Sequence, residues 1–438
     1  MSNELLGGLQ LAVLIGVMFI GFPISFTLLI LGIIFGYFGF GGMVFDLAFF
    51  QTLGIMKEET FAAVPLFIFM GYILEKSDLM ERLFKSFQYL LAPVKGSLYL
   101  GLLLTATLFA AATGIVGASV TVMGLMAAPT MTKSKYDVRL SAGAITAGGT
   151  LGILIPPSVM LIVMGPVLGV SVGQLYAAAF LPGFLLSSLY ISYCLIRCFF
   201  DPKLGPPLPV EERATSYGQM VRELLFGLIP LGAVIFAALG SILMGWATAT
   251  EAGAMGSVGS LILMVLYGRF KLGLIRDALY KTLQTSSMVL FLATAANVFG
   301  AVFTKLGTGT IIAKWLVALP ISPFAMLLLL MFLVFLLGWP LEWPPIIFIF
   351  VPILLPVITV MKYDMIWFGT LLAVNLQTAF LSPPVAVSAY YLKAVAPQWK
   401  MKDIYFGMGQ FMVLQVIGLL IVLFFPQIAL WLPNLLYK

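Results

Sequence analysis

Uninterrupted apolar runs recur from Leu5 to Leu436 and limit what this chain can become more than any other feature. A helix needs about 20 such residues to cross a hydrocarbon core of roughly 30 Å. Helices also satisfy their own backbone hydrogen bonds in lipid, where no water can do so. A transmembrane β-barrel would instead alternate in segments of about ten residues, and these runs do not alternate. Hydrophobic residues make up 62% of the 438 and charged residues 9%, a balance foreign to water-soluble domains. The expected fold is therefore an all-α polytopic membrane protein with roughly ten to twelve crossings.

The first stretch, from Leu5 to Phe40, is broken by Gly21-Phe22-Pro23, which predicts two spans joined by a tight turn. Further spans are expected near 62–76, 140–165, 175–199, 224–245, 247–268, 283–304, 366–392 and 404–425. A polar stretch from Asp201 to Arg222, rich in proline and glycine, reads as a linker dividing residues 1–200 from 223–438. The net charge of +6 sits in short loops such as Lys133–Arg139 and Arg269–Lys281, the pattern of topological charge bias rather than of a nucleic-acid surface. Cys194 and Cys198 lie four apart with no histidine in the chain, so they read as packing residues. The first apolar stretch has no basic leader and runs on into further spans, so no cleavable signal is expected.

The two halves repeat each other. Lys135-Tyr136-Asp137 precedes Pro156-Pro157, and Lys362-Tyr363-Asp364 precedes Pro383-Pro384, at one offset of 227 residues. Pro129 and Pro356, Thr132 and Thr359, and Leu154 and Leu381 fall into the same register. Each block has an interrupted apolar stretch (about 98–130 and 322–360) able to enter the membrane and return as a re-entrant hairpin. Each then has a helix (about 140–165 and 366–392) that meets a proline pair in mid-span and must break there. Residues 131–139 carry Lys133, Lys135 and Arg139 against Asp137, whereas 358–366 carry only Lys362 against Asp364. Positive charge marks the cytoplasmic side, so the two turns should face opposite sides and the repeats should be inverted, with the 201–222 linker inside.

Inverted repeats with matching broken helices point to an alternating-access carrier whose site lies at mid-membrane. Hairpin tips and proline breaks supply carbonyls and hydroxyls for sodium, and helix N-termini for a substrate carboxylate. The first-half candidates are Thr113, Gly114, Ser119, Gly148, Gly149, Thr150 and Gly152, with the break Pro156-Pro157. In the second half they are Gly338, Glu342, Asn375, Gln377, Thr378 and Ser382, with Pro383-Pro384. Small residues also let membrane helices pack closely, so any single glycine or serine has that reading as well. Glu342 is an acid in an apolar segment, either functional or else capping a hairpin half-helix or sitting at a wet tip. Glu251, after Thr248 and Thr250, reads first as a helix cap.

Without histidine, a histidine-based triad, a histidine-ligated metal and a histidine proton relay are excluded, and no Gly-Lys dipeptide exists to form a phosphate-cradling loop. A membrane-embedded enzyme would need a nucleophile with its base, and a channel would need polar stripes on unbroken helices. Polarity here gathers at the breaks, which favours a carrier.

These residues resemble the large membrane (permease) subunit of the tripartite ATP-independent periplasmic, or TRAP, transporters along nearly the whole chain. The resemblance rests on Gly21-Phe22-Pro23-Ile24, Pro65-Leu66-Phe67-Ile68 with Gly71, and Gly152-Ile153-Leu154-Ile155-Pro156-Pro157-Ser158. Thr248-Ala249-Thr250-Glu251-Ala252 is similar to the family's TPTEA with alanine for proline, and Ser382-Pro383-Pro384 to its TPP. Where many relatives read SGS in the first hairpin, this chain has Thr113-Gly114-Ile115, with Ser119 further on. Asn375-Leu376-Gln377-Thr378 and Gly338-Trp339-Pro340-Leu341-Glu342-Trp343 look closer to the keto-acid, mannitol and chloroaromatic branch than to the sialic-acid branch. The resemblance implies an elevator-type carrier of the bacterial inner membrane that needs no cofactor and takes sodium as its coupling ion. It also implies two partners: a small four-helix membrane subunit and a periplasmic substrate-binding protein that delivers an organic acid.

Overall fold

Gly21 takes a left-handed φ of +87° at little cost for glycine, and Pro23 follows, so the first apolar stretch folds as α1 (Asn3–Ile20) and α2 (Ile24–Phe40), as its Gly-Phe-Pro interruption predicts. The computed structural model describes residues 2–207, 217–383 and 385–437, and among them every regular element is helical. The first half continues with α3 (Met43–Lys57), α4 (Ala63–Lys76), α5 (Leu79–Leu90), α6 (Ser97–Thr113), α7 (Val116–Lys133), α8 (Val138–Thr150), α9 (Val159–Leu168) and α10 (Val172–Phe200). The second holds α11 (Tyr217–Ile235), α12 (Ala249–Leu266), α13 (Leu272–Lys305), α14 (Thr308–Val317), α15 (Pro323–Leu337), α16 (Trp343–Val360), α17 (Met365–Leu376), α18 (Val387–Val395), α19 (Met401–Phe424) and α20 (Gln427–Leu436).

Among the described residues 6 helices are long and apolar enough to cross a membrane unaided, or 7 if the pair bent by 56° between Lys76 and Leu79 counts as one span. That is fewer than the ten to twelve full crossings expected. The hairpin arm α6 and the halves of the broken helices α8–α9 and α17–α18 are each too short to cross singly, and so is α2. Phe38, Phe50 and Leu266 are at least two-thirds exposed on the outer helices, as side chains facing lipid should be.

The repeated Lys-Tyr-Asp turn has the same construction twice. Lys135 and Lys362 take left-handed φ of 57° and 58° and end the hairpins. Asp137 then caps α8 by accepting from the Leu140 amide, and Asp364 caps α17 by accepting from Ile366 and Trp367. The tyrosine pins each hairpin base: Tyr136 reaches Ser97 and the Leu98 amide, and Tyr363 donates to the Pro323 carbonyl.

Helices of the two halves interleave. One group packs α12 and α13 on α4 and α2, and another packs α19 on α8 and α20 on α10. The α8–α19 contact is close because neither Gly143 nor Gly407 has a Cβ; one on Gly407 would lie 2.0 Å from the Arg139 carbonyl oxygen. Cys194 and Cys198 are buried packing residues.

The linker is shorter than the sequence suggests. Leu204 and Gly205 are built into the fold, their carbonyls accepting from the Asp137 and Gly96 amides, and α11 already begins at Tyr217. Residues 208–216 of the linker lie outside the described residues.

Candidate functional site

The proline pairs break their helices as expected. After α8 a 3₁₀ turn (Leu151–Ile153) leads to a cis Pro156-Pro157 bond, and the Ser158 hydroxyl donates to the Ile153 carbonyl. After α17 a 3₁₀ turn (Gln377–Phe380) leads to Ser382, whose hydroxyl donates to the Thr378 carbonyl at 2.6 Å. Pro383 follows, and Pro384 lies outside the described residues.

The hairpin tips meet these breaks. Gly114, at φ +60°, joins α6 to α7, and a Cβ there would contact Val159 and the Pro157 carbonyl. Gly338 ends α15, and a Cβ there would come within 3.2 Å of Ala379. Each tip therefore abuts the break of its own half. Thr113 closes α6, and its side chain lies outside the described residues. Ser119 is buried in the first turns of α7.

Not every candidate faces open space. Gly148 packs toward Ala106 and Leu103, and a Cβ on Gly149 would fall 2.3 Å from Val120 Cγ2, so both glycines bring α8 against the hairpin. Gly152 is buried in the 3₁₀ turn. Thr150 Oγ1 lies 3.1 Å from the Gln377 side-chain oxygen and 3.1 Å from Gln415 Nε2. It also lies 2.8 Å from the Ala147 carbonyl. One hydroxyl proton serves one acceptor, so when it goes to Ala147 the Gln377 amide turns to donate to Thr150. Asn375 Nδ2 donates to the Met331 carbonyl at 2.7 Å and ties α17 to α15, and the Thr378 hydroxyl donates to the Asn375 carbonyl at 2.7 Å. Asn375 Oδ1 is a buried oxygen with no hydrogen-bond partner. Buried polar atoms of this kind call for an explanation.

A cavity of about 670 Å³ is bordered by both tips, at Gly114–Ala118 and Glu342–Pro344, and by both breaks, at Ile153 and Phe380. Its other wall is Tyr72 and Glu75 of α4 with Lys281, Gln284 and Thr285 of α13. Glu342 sits at the N-terminal cap of α16 without making a side-chain cap bond. It is surrounded by protein yet accessible, because it faces this cavity. Glu251, by contrast, forms the expected capping box with Thr248: its carboxylate accepts from the Thr248 amide at 2.8 Å.

Sequence reasoning missed the α4 and α13 wall. Lys281 was assigned to a loop spanning Arg269–Lys281, but α13 begins at Leu272 and carries it into the cavity lining. The available signal was Glu75, an acid near the end of an apolar run. Gln415 was missed because a single glutamine in a long apolar helix carries no motif.

Residues 11–428 match the family described as "Tripartite ATP-independent periplasmic transporter, DctM component". The C4-dicarboxylate TRAP transporter large permease protein DctM of Pseudomonas aeruginosa is 30% identical over 86% of this chain and 87% of its own length. The sialic acid TRAP transporter large permease protein SiaM of Vibrio cholerae is 28% identical over 96% and 97%. Those near-equal identities do not separate substrate branches. In fold, the chain resembles the Alcanivorax borkumensis YdaH transporter, with a TM-score of 0.64 at 15% identity over 89% of each chain. This chain belongs to the tripartite ATP-independent periplasmic transporter family as its DctM component, a multi-pass membrane permease and not an enzyme.

Proposed function

We propose that this chain is the translocating subunit of a sodium-driven importer of an organic acid in the bacterial inner membrane, working by an elevator-type movement. The observation that carries the reading is the cavity at which two hairpin tips and two helix breaks, one of each from either repeat, converge. Inverted repeats with discontinuous helices form substrate sites of this kind. On this reading residues 1–200 and 223–438 are the inverted repeats, and the stretch between them, which ends in the first turns of α11, lies on the cytoplasmic side. The hairpins and broken helices, with α10 and α19, move as one body against α1–α4 and α11–α13.

Sodium is cargo as well as driving ion. Its oxygen ligands would come from the two tip-and-break pairs, with Thr113, Gly114 and Ser119 on one side and Asn375, Thr378 and Ser382 on the other. The donor-free Asn375 Oδ1 supports the second set, since a hard cation takes oxygen ligands. The cavity reaches the end of α4 and the first turns of α13, where Lys76, Arg269 and Lys271 gather. Positive charge marks the cytoplasmic side, so this conformation faces inward.

A small membrane subunit and a periplasmic binding protein complete the system. Reconstituted alone, the chain should give no uptake; adding both partners and an inward sodium gradient should produce it. Uptake by the lone chain, or uptake indifferent to sodium, would refute the reading.

A further inference from the structure

Lys281 is the one cation among the residues lining the cavity, which include two carboxylates, Glu75 in charge contact with Lys281 on the same wall and Glu342 at the hairpin tip. Its ammonium lies 5.6 Å from the centre of the Tyr72 ring. Among the described residues no carboxylate oxygen comes within 4 Å of it, the distance that defines an ion pair. The Tyr72 hydroxyl is held by Thr285 at 3.1 Å, which fixes the ring beneath the ammonium. A cation held over an aromatic face, with donors free in a cavity, is arranged for an anionic ligand.

The hairpin tip brings a group of the reverse character to the same cavity. Glu342 makes no side-chain cap bond, so its carboxylate is free to accept from a ligand. Trp343, Phe380 and Tyr391 also line the cavity and suit an apolar or ring-bearing body. The lining offers no second cation for a second carboxylate, and Glu75 and Glu342 already set two negative charges against the one Lys281, so a second carboxylate would meet net repulsion in a low-dielectric space.

Building on the carrier reading above, we infer that this cavity takes a monocarboxylate that also carries a hydrogen-bond donor, either a hydroxyl or an ammonium group, and rejects dicarboxylates. Lys281 receives the carboxylate and Glu342 accepts from the donor group. Because Lys281 belongs to α13 and Glu342 to a hairpin tip, the ligand bridges the wall that stays and the body that moves.

The test uses the full-length chain purified with its small subunit in sodium buffer, read by ligand-induced thermal stabilisation. Two probe series are compared: lactate, alanine, propionate and malate; and mandelate, phenylglycine, phenylacetate and phenylmalonate. At least one hydroxy or amino monocarboxylate should stabilise the complex, and the dicarboxylate of the same series should not. Lys281→Met should raise the half-saturating ligand concentration about tenfold or more, the worth of one charge-assisted hydrogen bond. Lys281→Arg should largely restore it, and the stabilisation by sodium alone should persist in both variants. Glu342→Gln separates the two donors: an ammonium ligand should weaken about tenfold, whereas a hydroxyl ligand, still able to donate to the amide oxygen, should change little. Equal or tighter binding of the dicarboxylates, unchanged affinity in Lys281→Met, or no response to any hydroxy or amino acid would overturn the inference. Sodium-driven uptake of a dicarboxylate by the complete system would overturn it while leaving the carrier reading intact; absence of sodium-driven uptake would remove the carrier reading itself.

Discussion

Thr150 Oγ1 and the Gln377 side-chain oxygen lie 3.1 Å apart although 227 residues separate them in the chain. That separation is also the offset relating the two Lys-Tyr-Asp turns, so each residue touches its own counterpart in the other half. Gln415 joins the pair from α19, and the three side chains form a buried polar cluster. Thr150→Val should lower the thermal stability of the purified complex by about 0.5–1.5 kcal/mol. A double-mutant cycle with Gln377→Leu should show coupling of about 0.5 kcal/mol or more. Additive effects would mean that the contact carries no energy.

The unequal charge of the repeated turns predicts opposite exposure. Lys135 and Lys362 are both exposed in left-handed turns, so a cysteine at either is open to a membrane-impermeant thiol reagent. In oriented vesicles Lys135→Cys should label only from the cytoplasmic face and Lys362→Cys only from the other. Labelling of both from one face would rule out the inverted arrangement.

Sodium dependence should be sensitive to the second tip-and-break pair. Asn375→Ala removes the donor-free Oδ1 along with the bond to Met331, and Thr378→Val removes a hydroxyl oxygen. Hydrogen bonds inside membrane proteins average only about 0.6 kcal/mol, so a purely structural role would leave transport nearly normal at matched expression. Loss of an ion ligand should instead raise the half-saturating sodium concentration several-fold. Ser188 is the appropriate control because it is exposed; its neighbour Ser187 is buried against Thr107 at 2.5 Å and would report packing damage. Wild-type sodium dependence in both site variants would assign the cluster to packing.

The start of α12 gives a test free of any transport assumption. Thr248 and Glu251 cap each other reciprocally, and loss of a cap costs about 0.5–2 kcal/mol. Thr248→Ala should lower the melting temperature, and Thr248→Ser should restore most of the loss. Equal stability of the alanine variant and wild type would show that the box contributes nothing.

What the sequence determined by itself was whatever depends on local order along the chain. Apolar run length settled the membrane environment, Gly21-Phe22-Pro23 placed a turn, and the Lys-Tyr-Asp and proline-pair spacing located two hairpins and two breaks. Thr248 and Glu251 signalled a helix start three residues apart. Each of these follows from backbone chemistry within a few residues, which a single chain segment expresses unaided. The tertiary structure decided which segments meet. Nothing local places Lys281 and Glu342 on one cavity, Asn375 against Met331, or Gln415 beside Thr150. In a water-soluble helix the apolar face would have marked the inner side, but a lipid-facing helix is apolar on both sides, so its pattern does not say which face is buried. That choice rested on small-residue packing, as between Gly143 and Gly407. The docking of the two halves then fixed the site, because its walls come from helices that touch only once both repeats are in place.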